Sequence, residues 1–357
     1  MNITRSHTDF VSIFTILVTS SSPYWNFALQ FRSKMNRRGI KIHNDNQLRE
    51  MSGKAWSLLT PVEKENYKVV DKNAEPTANQ NRKLYNSLGQ DIEEVDALAK
   101  QKKEGYVGMI EEINDMLLDG EALDETVLYF ISTESFYSTG TRIYPAEIAL
   151  AKFSLKEGII DDIQIRINPG NLPLGAAATA MEKSKETHKY PLPPFDEGEK
   201  DFMVVLEAMI KFLHPMKGLP IFFSQGNTRD NKAALQNTCR IIETIFRDSG
   251  EDDTVQNVNV YPIDELFFAL NKKAIANMNR RNGTDLKPFL SISYASEKFN
   301  IDDFCYATPG CEFHIQLDSP FCCLSKVRRF GYTVAKWCAD KTRYPMIEGK
   351  HLPEGYE

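Results

Sequence analysis

The sequence predicts two unlike parts: a small module of three short helices, then a large α+β domain in which a mixed sheet is flanked by helices. Three observations carry this. Hydrophobic spacing is helical as far as about residue 118 and becomes strand-like from Thr126. Charge divides as well: residues 21–75 hold ten Lys/Arg against six Asp/Glu, whereas everything beyond residue 75 carries a balance of −10 within a chain of −6. All six cysteines lie at or beyond Cys239, and four fall within Cys305–Cys323. A length of 357 residues exceeds the roughly 150 of an average domain, and 42% hydrophobic content is ample for a core.

Taken in order, residues 1–20 contain the longest mostly apolar run, Phe10–Val18, interrupted by Ser12 and Thr15. A bilayer span needs about 20 apolar residues, so no membrane-spanning helix and no membrane partner are expected. Asp9 abuts the run, and the segment reads as a disordered N-terminal extension rather than a secretion signal.

Residues 21–75 form the basic module. Ser22-Pro23 supplies an N-cap and a first helical position, where proline's fixed φ and missing donor cost nothing. Trp25, Phe27, Ala28 and Phe31 give an apolar face, and Arg32, Lys34, Arg37 and Arg38 crowd the end before Gly39, which suits the helix dipole. A second helix begins near Asn44 or Asp45, with Leu48, Met51, Ala55 and Leu59 at helical spacing. Thr60-Pro61-Val62-Glu63 is a capping box that opens a third, continued by Tyr67 and Val70.

These residues resemble an HMG box, through Pro23-Tyr24-Trp25-Asn26-Phe27, Trp56, and Pro61-x-Glu63-Lys64-x-x-Tyr67. The resemblance implies binding to DNA or structured RNA, with Arg32, Arg37, Arg38 and Lys41 as the phosphate-contacting cations. Boxes of this kind often wedge an apolar side chain between base pairs. The wedge position falls near Ala28, too small to unstack a step, so backbone binding with little sequence preference is expected. The same pattern also suits a three-helix protein-interaction domain. A salt titration separates the two, because phosphate contacts lose affinity steeply with salt.

Residues 76–125 read as a linker with marginal helices: polar Asn73–Gln80 leads into it, and Ile92, Val95, Leu98, Ile110, Ile113 and Leu117 are spaced through charged sequence. The large domain spans 126–345, with 346–357 as a tail. Val127–Ile131 is a short buried-strand signature. Glu147–Leu155 and Ile159–Ile167 form a hairpin across Glu157-Gly158, ended by Asn168-Pro169-Gly170. Leu219–Phe223 is a further strand, followed by a helix with Leu235, Cys239, Ile242 and Phe246 on one face. Val258–Tyr261 is a strand and Asp264–Met278 a helix, and Phe321–Lys341 is a closing helix carrying Leu324, Val327, Val334 and Trp337.

This order resembles the ribonuclease H fold of proofreading-type 3′–5′ exonucleases. Those enzymes place Asp-x-Glu on the first strand, an Asp after the middle strand, and His with Asp in the last helix. Here the first site reads Ser132-Thr133-Glu134, Asp230 stands for the middle acid, and His314 with Asp318 fits the last pair. Two-metal catalysis needs several carboxylates around two cations about 4 Å apart, and Ser132 cannot ligate as one. The standard exonuclease mechanism is not expected to survive.

Few cysteines, clustered, point to metal before disulfides. Cys311-Glu312-Phe313-His314 followed by Cys322 gives C-x2-H-x7-C, three zinc-type ligands within twelve residues. Glu147 is the candidate fourth: alternation places it on the face of Ala149, Ala151, Phe153 and Leu155, where an unpaired carboxylate is costly. The bland alternative is a set of separate core thiols and a satisfied histidine. Cys239 reads as core, and Cys305 and Cys323 as bystanders.

Together, residues 21–340 resemble the Maelstrom family. The likeness is carried by Pro145-Ala146-Glu147-Ile148, Phe153-Ser154-Leu155-x-Glu157-Gly158-Ile159 and Ile167-Asn168-Pro169-Gly170. It implies a zinc set of Glu147, Cys311, His314 and Cys322. His188, in His188-Lys189-x-Pro191, and His214, in Phe212-Leu213-His214-Pro215, match two further family histidines. Either can equally be a histidine bonding loop backbone. The resemblance implies a germline protein of the piRNA pathway, silencing transposons during gametogenesis. It further implies piRNA-pathway protein partners and residence in the nucleus, cytoplasm and perinuclear granules. Two classes of function remain: a nucleic-acid-binding adaptor with a zinc-fixed fold, or a single-strand RNA nuclease acting through residues outside the lost acid set, kept open by the surviving Glu134, Asp230 and Asp318. The missing acid at Ser132 favours the adaptor.

Overall fold

The computed structural model describes residues 23–37, 40–42, 44–65, 67, 91–195, 197–214, 219–226, 229–250, 258–317, 319–339 and 344–356. The expected N-terminal extension and the polar linker at 73–80 lie outside the described residues. The chain divides into two compact units between Val95 and Asp96. Among the described residues no helix is long and apolar enough to cross a membrane.

In the first unit, α1 (Pro23–Arg37), α2 (Asp45–Ser57) and α3 (Pro61–Glu65) follow the expected order. Asn44 caps α2 by accepting the Gln47 N–H at 2.9 Å. The capping box closes as written: Glu63 Oε2 accepts from Thr60 N at 2.8 Å, and Thr60 Oγ1 accepts from Glu63 N at 3.3 Å. Phe27 and Trp56 pack at 5.2 Å, with Tyr24 and Tyr67 edge-on to the indole. Ala28 and Leu48 are fully buried beside Ile42. Ala28 therefore belongs to the core, and it fails as a wedge through burial as well as size.

Helix α4 (Ile92–Met116), which from Asp96 onward belongs to the second unit, takes the place of the expected marginal helices. Ile113 and Leu117 are fully buried in the main core. Side chains tie α4 down further: Tyr106 Oη donates to Glu265 at 2.9 Å and Tyr261 Oη donates to Glu112 at 2.5 Å. The apolar residues of its C-terminal half find a partner here, so that half belongs to the domain rather than to a linker, while Val95 and Leu98 stay exposed. A single turn, α5 (Ala122–Glu125), leads into the sheet.

The sheet has five strands: β1 (Leu128–Ser138), β2 (Ile143–Ser154), β3 (Gly158–Arg166), β4 (Phe222–Ser224) and β5 (Val260–Pro262). Their order is β3-β2-β1-β4-β5, with β1–β2 and β2–β3 antiparallel and β1–β4 and β4–β5 parallel. Period-two alternation sends Leu128, Phe130, Ala149, Ala151 and Phe153 to one face. That face is covered by α9 (Ile263–Asn282), α10 (Ile292–Asn300) and α12 (Cys323–Val334). Ile131, Ile148 and Leu150 take the other face, under α7 (Phe202–Leu213) and α8 (Arg229–Ser249). Two short helices, α6 (Ala177–Glu186) and α11 (Glu312–Gln316), complete the set, and a π turn over Ala335–Ala339 extends α12.

Residues 346–356 of the expected tail are packed onto the domain. Ile159 N–H donates to Lys350 O at 2.8 Å, His351 is fully buried, and the Tyr356 ring lies 4.9 Å from that of Phe304.

Candidate metal centre

Four donors converge from three parts of the chain. Glu147 comes from β2, facing α12 as alternation requires, and is fully buried. Cys311 is the N-cap of α11, His314 lies one turn inside it, and Cys322 is the N-cap of α12. The donor atoms of all four lie within 4.8 Å of one another. Cys311 Sγ stands 3.1 Å from His314 Nδ1, and Cys322 Sγ is 3.9 Å from Glu147 Oε1. Metal bonds of about 2.0–2.3 Å in a tetrahedron put donors roughly 3.3–3.8 Å apart, so this set needs only a small closing movement. A Cβ on Gly310 would lie 3.1 Å from Cys322 Sγ, so the bare glycine gives that sulfur its space.

The protonation pattern suits a cation. Burial pushes the Glu147 carboxyl up to about 7, with His314 opposing. Its Oε2 has no hydrogen-bond partner among the described residues, an expensive arrangement for a buried carboxylate oxygen. The Cys311 thiol is pulled well down by hydrogen bonds from Cys322 and His314, while sharing that bond pushes Cys322 up. For His314, burial works against the charged form, but the Cys311 sulfur, the Glu147 charge and the His188 carbonyl together raise it. An electron-rich sulfur and an orphaned carboxylate oxygen thus face a common centre.

A second layer fixes the donors. His314 Nε2 lies 2.7 Å from the His188 carbonyl, so Nε2–H donates there and Nδ1 is left for the centre. Gln164 lies close enough to Glu147 to favour its charged form, and its Nε2 donates to Tyr190 Oη at 3.3 Å. Arg166 stacks 4.4 Å over Tyr190 and 4.3 Å over Phe313, and pairs with Glu197.

The other expected positions separate. The His188 ring is buried 4.7 Å from Phe136, and its Nδ1 accepts the Tyr190 N–H at 3.1 Å; burial drives its pKa down to about 3. It touches the centre through its carbonyl alone. His214 is exposed at the C-cap of α7 with φ +46°, away from the four donors. In the first unit, Arg32 reaches Asp45 at 3.5 Å and the Ile42 carbonyl at 3.4 Å, which braces the helices, and Lys41 is exposed. The Arg37 side chain and Arg38 lie outside the described residues. Ser132 is buried on β1 and Glu134 is partly exposed, while the Asp230 side chain and Asp318 lie outside the described residues. Gln164, Tyr190 and Arg166 were not legible as site residues.

A mixed-sheet domain with a convergent Glu-Cys-His-Cys set, three of its four members buried, is thus the class of protein that the fold and the site define. Residues 137–357 match the family model of Maelstrom, a piRNA-pathway germ-plasm component, and the chain belongs to the Maelstrom family. It is 28% identical over 348 residues to a protein maelstrom homolog of Culex quinquefasciatus, covering 94% of this chain and 65% of the relative. With protein maelstrom of Drosophila melanogaster it shares 27% over 311 residues, covering 84% and 64%. The chain therefore spans just under two thirds of the length of these relatives. Among solved structures, the zinc-bound E. coli exonuclease I complex with single-stranded DNA superposes in part. Its TM-score is 0.32 at 14% identity, over 61% of this chain and 40% of that one.

Proposed function

We propose that the chain is a germline nucleic-acid-binding protein of the piRNA pathway that represses transposable elements during gametogenesis. Its large domain is held in shape by one structural zinc and lacks standard two-metal exonuclease chemistry. The family membership supports the pathway, and the four convergent donors support the zinc. Glu147, Cys311, His314 and Cys322 would hold the ion with no open position, so what it supplies is a cross-link between β2 and the loops capping α11 and α12. The chain's own residues do the rest: the His188 carbonyl orients the imidazole, Gln164 steadies the carboxylate, and Tyr190 with Phe313 excludes water. In the first unit, the HMG-like module would contact DNA or structured RNA through Lys41, Arg37 and Arg38, with Arg32 partly committed to Asp45. The large domain would take single-stranded RNA. The reading places the protein in the nucleus, the cytoplasm and perinuclear granules, alongside other piRNA-pathway proteins.

Metal analysis of the purified chain is expected to give one zinc per molecule. Cys311→Ala should abolish it and lower the melting temperature. A well-folded protein without zinc, or a Cys311→Ala variant of unchanged stability, would refute the site. The enzymatic alternative is a single-strand RNA nuclease. With end-labelled RNA and magnesium or manganese, 3′ trimming should be absent; a ladder shortening from the 3′ end and abolished by Glu134→Ala would restore the exonuclease.

A further inference from the structure

In an open sheet, ligands meet the carboxyl ends of parallel strands, and β1 and β4 are the central parallel pair here. Along β1 the face of Leu128 and Phe130 continues into Ser132 and then Glu134, towards the start of α12. Cys323, the first residue of α12, lies beside Ser132 and in the field of Glu147, Glu134 and Lys326. Lys183 reaches in from α6, and its Nζ donates to Ser135 Oγ at 2.7 Å. Burial works against its charge while Glu134 supports it. Lys326, in the first turn of α12, lines an adjoining polar recess with Gln225, Asn300 and Asp302. There Asp302 is already taken by Arg329. No acid lies in the first turn of α12.

Among the described residues, this strand end therefore holds two ammoniums, Lys183 and Lys326, and the Glu134 carboxylate, beside the Asp302–Arg329 pair. A divalent-metal pair requires the reverse, several carboxylates and no resident cation. The same charge arrangement suits an anion that brings its own acceptor oxygens, and Ser132 and Ser135 add hydroxyls beside the lysines.

We propose that this cleft holds two successive backbone phosphates of single-stranded RNA directly, one on Lys183 and one on Lys326, without a bridging metal. The inference rests on the large domain being an RNA binder. The test uses the zinc-loaded full chain with Arg32, Arg37, Arg38 and Lys41 replaced by alanine, so that the first unit is silenced, and a labelled unstructured RNA 20-mer. In that background Lys183→Met with Lys326→Met should weaken binding at least tenfold. It should also lower the slope of log Kd against log salt by about 1.4, since a single strand releases about 0.7 counterion per neutralised phosphate. Arginine at both positions should restore binding. Zinc content and melting temperature should match the background. If losing Lys183 disturbs the fold, Lys326→Met alone should still lower the slope by about 0.7. RNA binding with an unchanged slope in the methionine variants would overturn the cleft while leaving the domain an RNA binder. No RNA binding in the background chain would overturn both.

Discussion

At the scale of single residues, two glycines show how closely the backbone is drawn in. Gly310 leaves space for the Cys322 sulfur, as described. Gly158 has φ +73°, and a Cβ there would lie 2.4 Å from the Lys350 carbonyl oxygen. Both the left-handed conformation and the contact oppose a side chain. Gly158→Ala should therefore cost about 1–3 kcal/mol, read as a shift in the urea midpoint at unchanged slope. His351 lies in the same neighbourhood. Its Nδ1 accepts the Ile347 N–H at 3.2 Å and its Nε2 meets the Leu155 carbonyl at 3.2 Å, so both nitrogens are used in the neutral ring. Burial pulls its pKa below the ordinary value. The unfolded chain then binds this proton more readily, so the stability is fully present above about pH 6.5 and lost as pH falls below it. His351→Gln should flatten the decline in urea stability between neutral and mildly acidic pH. His188 has the same sign and should leave a residual slope.

At the scale of elements, the capping box gives the simplest measurement. Thr60→Ala removes the acceptor for the Glu63 N–H and should cost the first unit about 1 kcal/mol, checked by thermal melting. Helix starts with such side-chain signals were readable: Asn44, Thr60-Pro61 and the β2–β3 hairpin all appear where their residues place them. The four-donor set was readable too, because three donors are close in sequence and the fourth is an acid on an apolar face. Other features were hidden for identifiable reasons. β1 runs on to Ser138 through Ser132-Thr133-Glu134-Ser135, whose polarity masks the strand. α7 follows Asp201, which accepts from Met203 N at 2.8 Å, but its apolar run is broken only by Glu207 and Lys211, which leaves the helical period faint. Arg166 lies opposite Glu147 only because the register shifts between Lys152 and Phe153. Counting inward from the Ser154–Gly158 pair would have placed Ile165 there instead. A bulge of one residue exchanges the faces of the strand, and nothing in the side chains announces it.

At the scale of the whole molecule, the two units differ in what holds them. The first relies on a small aromatic cluster and its helix caps. The second has a sheet with a separate core on each face, and donors from β2 and the loops before α11 and α12 gathered over the face that α12 covers. That distribution of donors sets an order of assembly. Cys311, His314 and Cys322 span twelve residues, so a newly made or refolding chain can close that loop on a metal at little entropic cost, before any sheet exists. Glu147 is more than 160 residues away and arrives only when β2 has paired and α12 has docked. The ion would thus be captured early by a local tripod and sealed late by a strand. Its release should slow sharply once the sheet has formed, which makes metal exchange rate a clock for the folding of the entire domain.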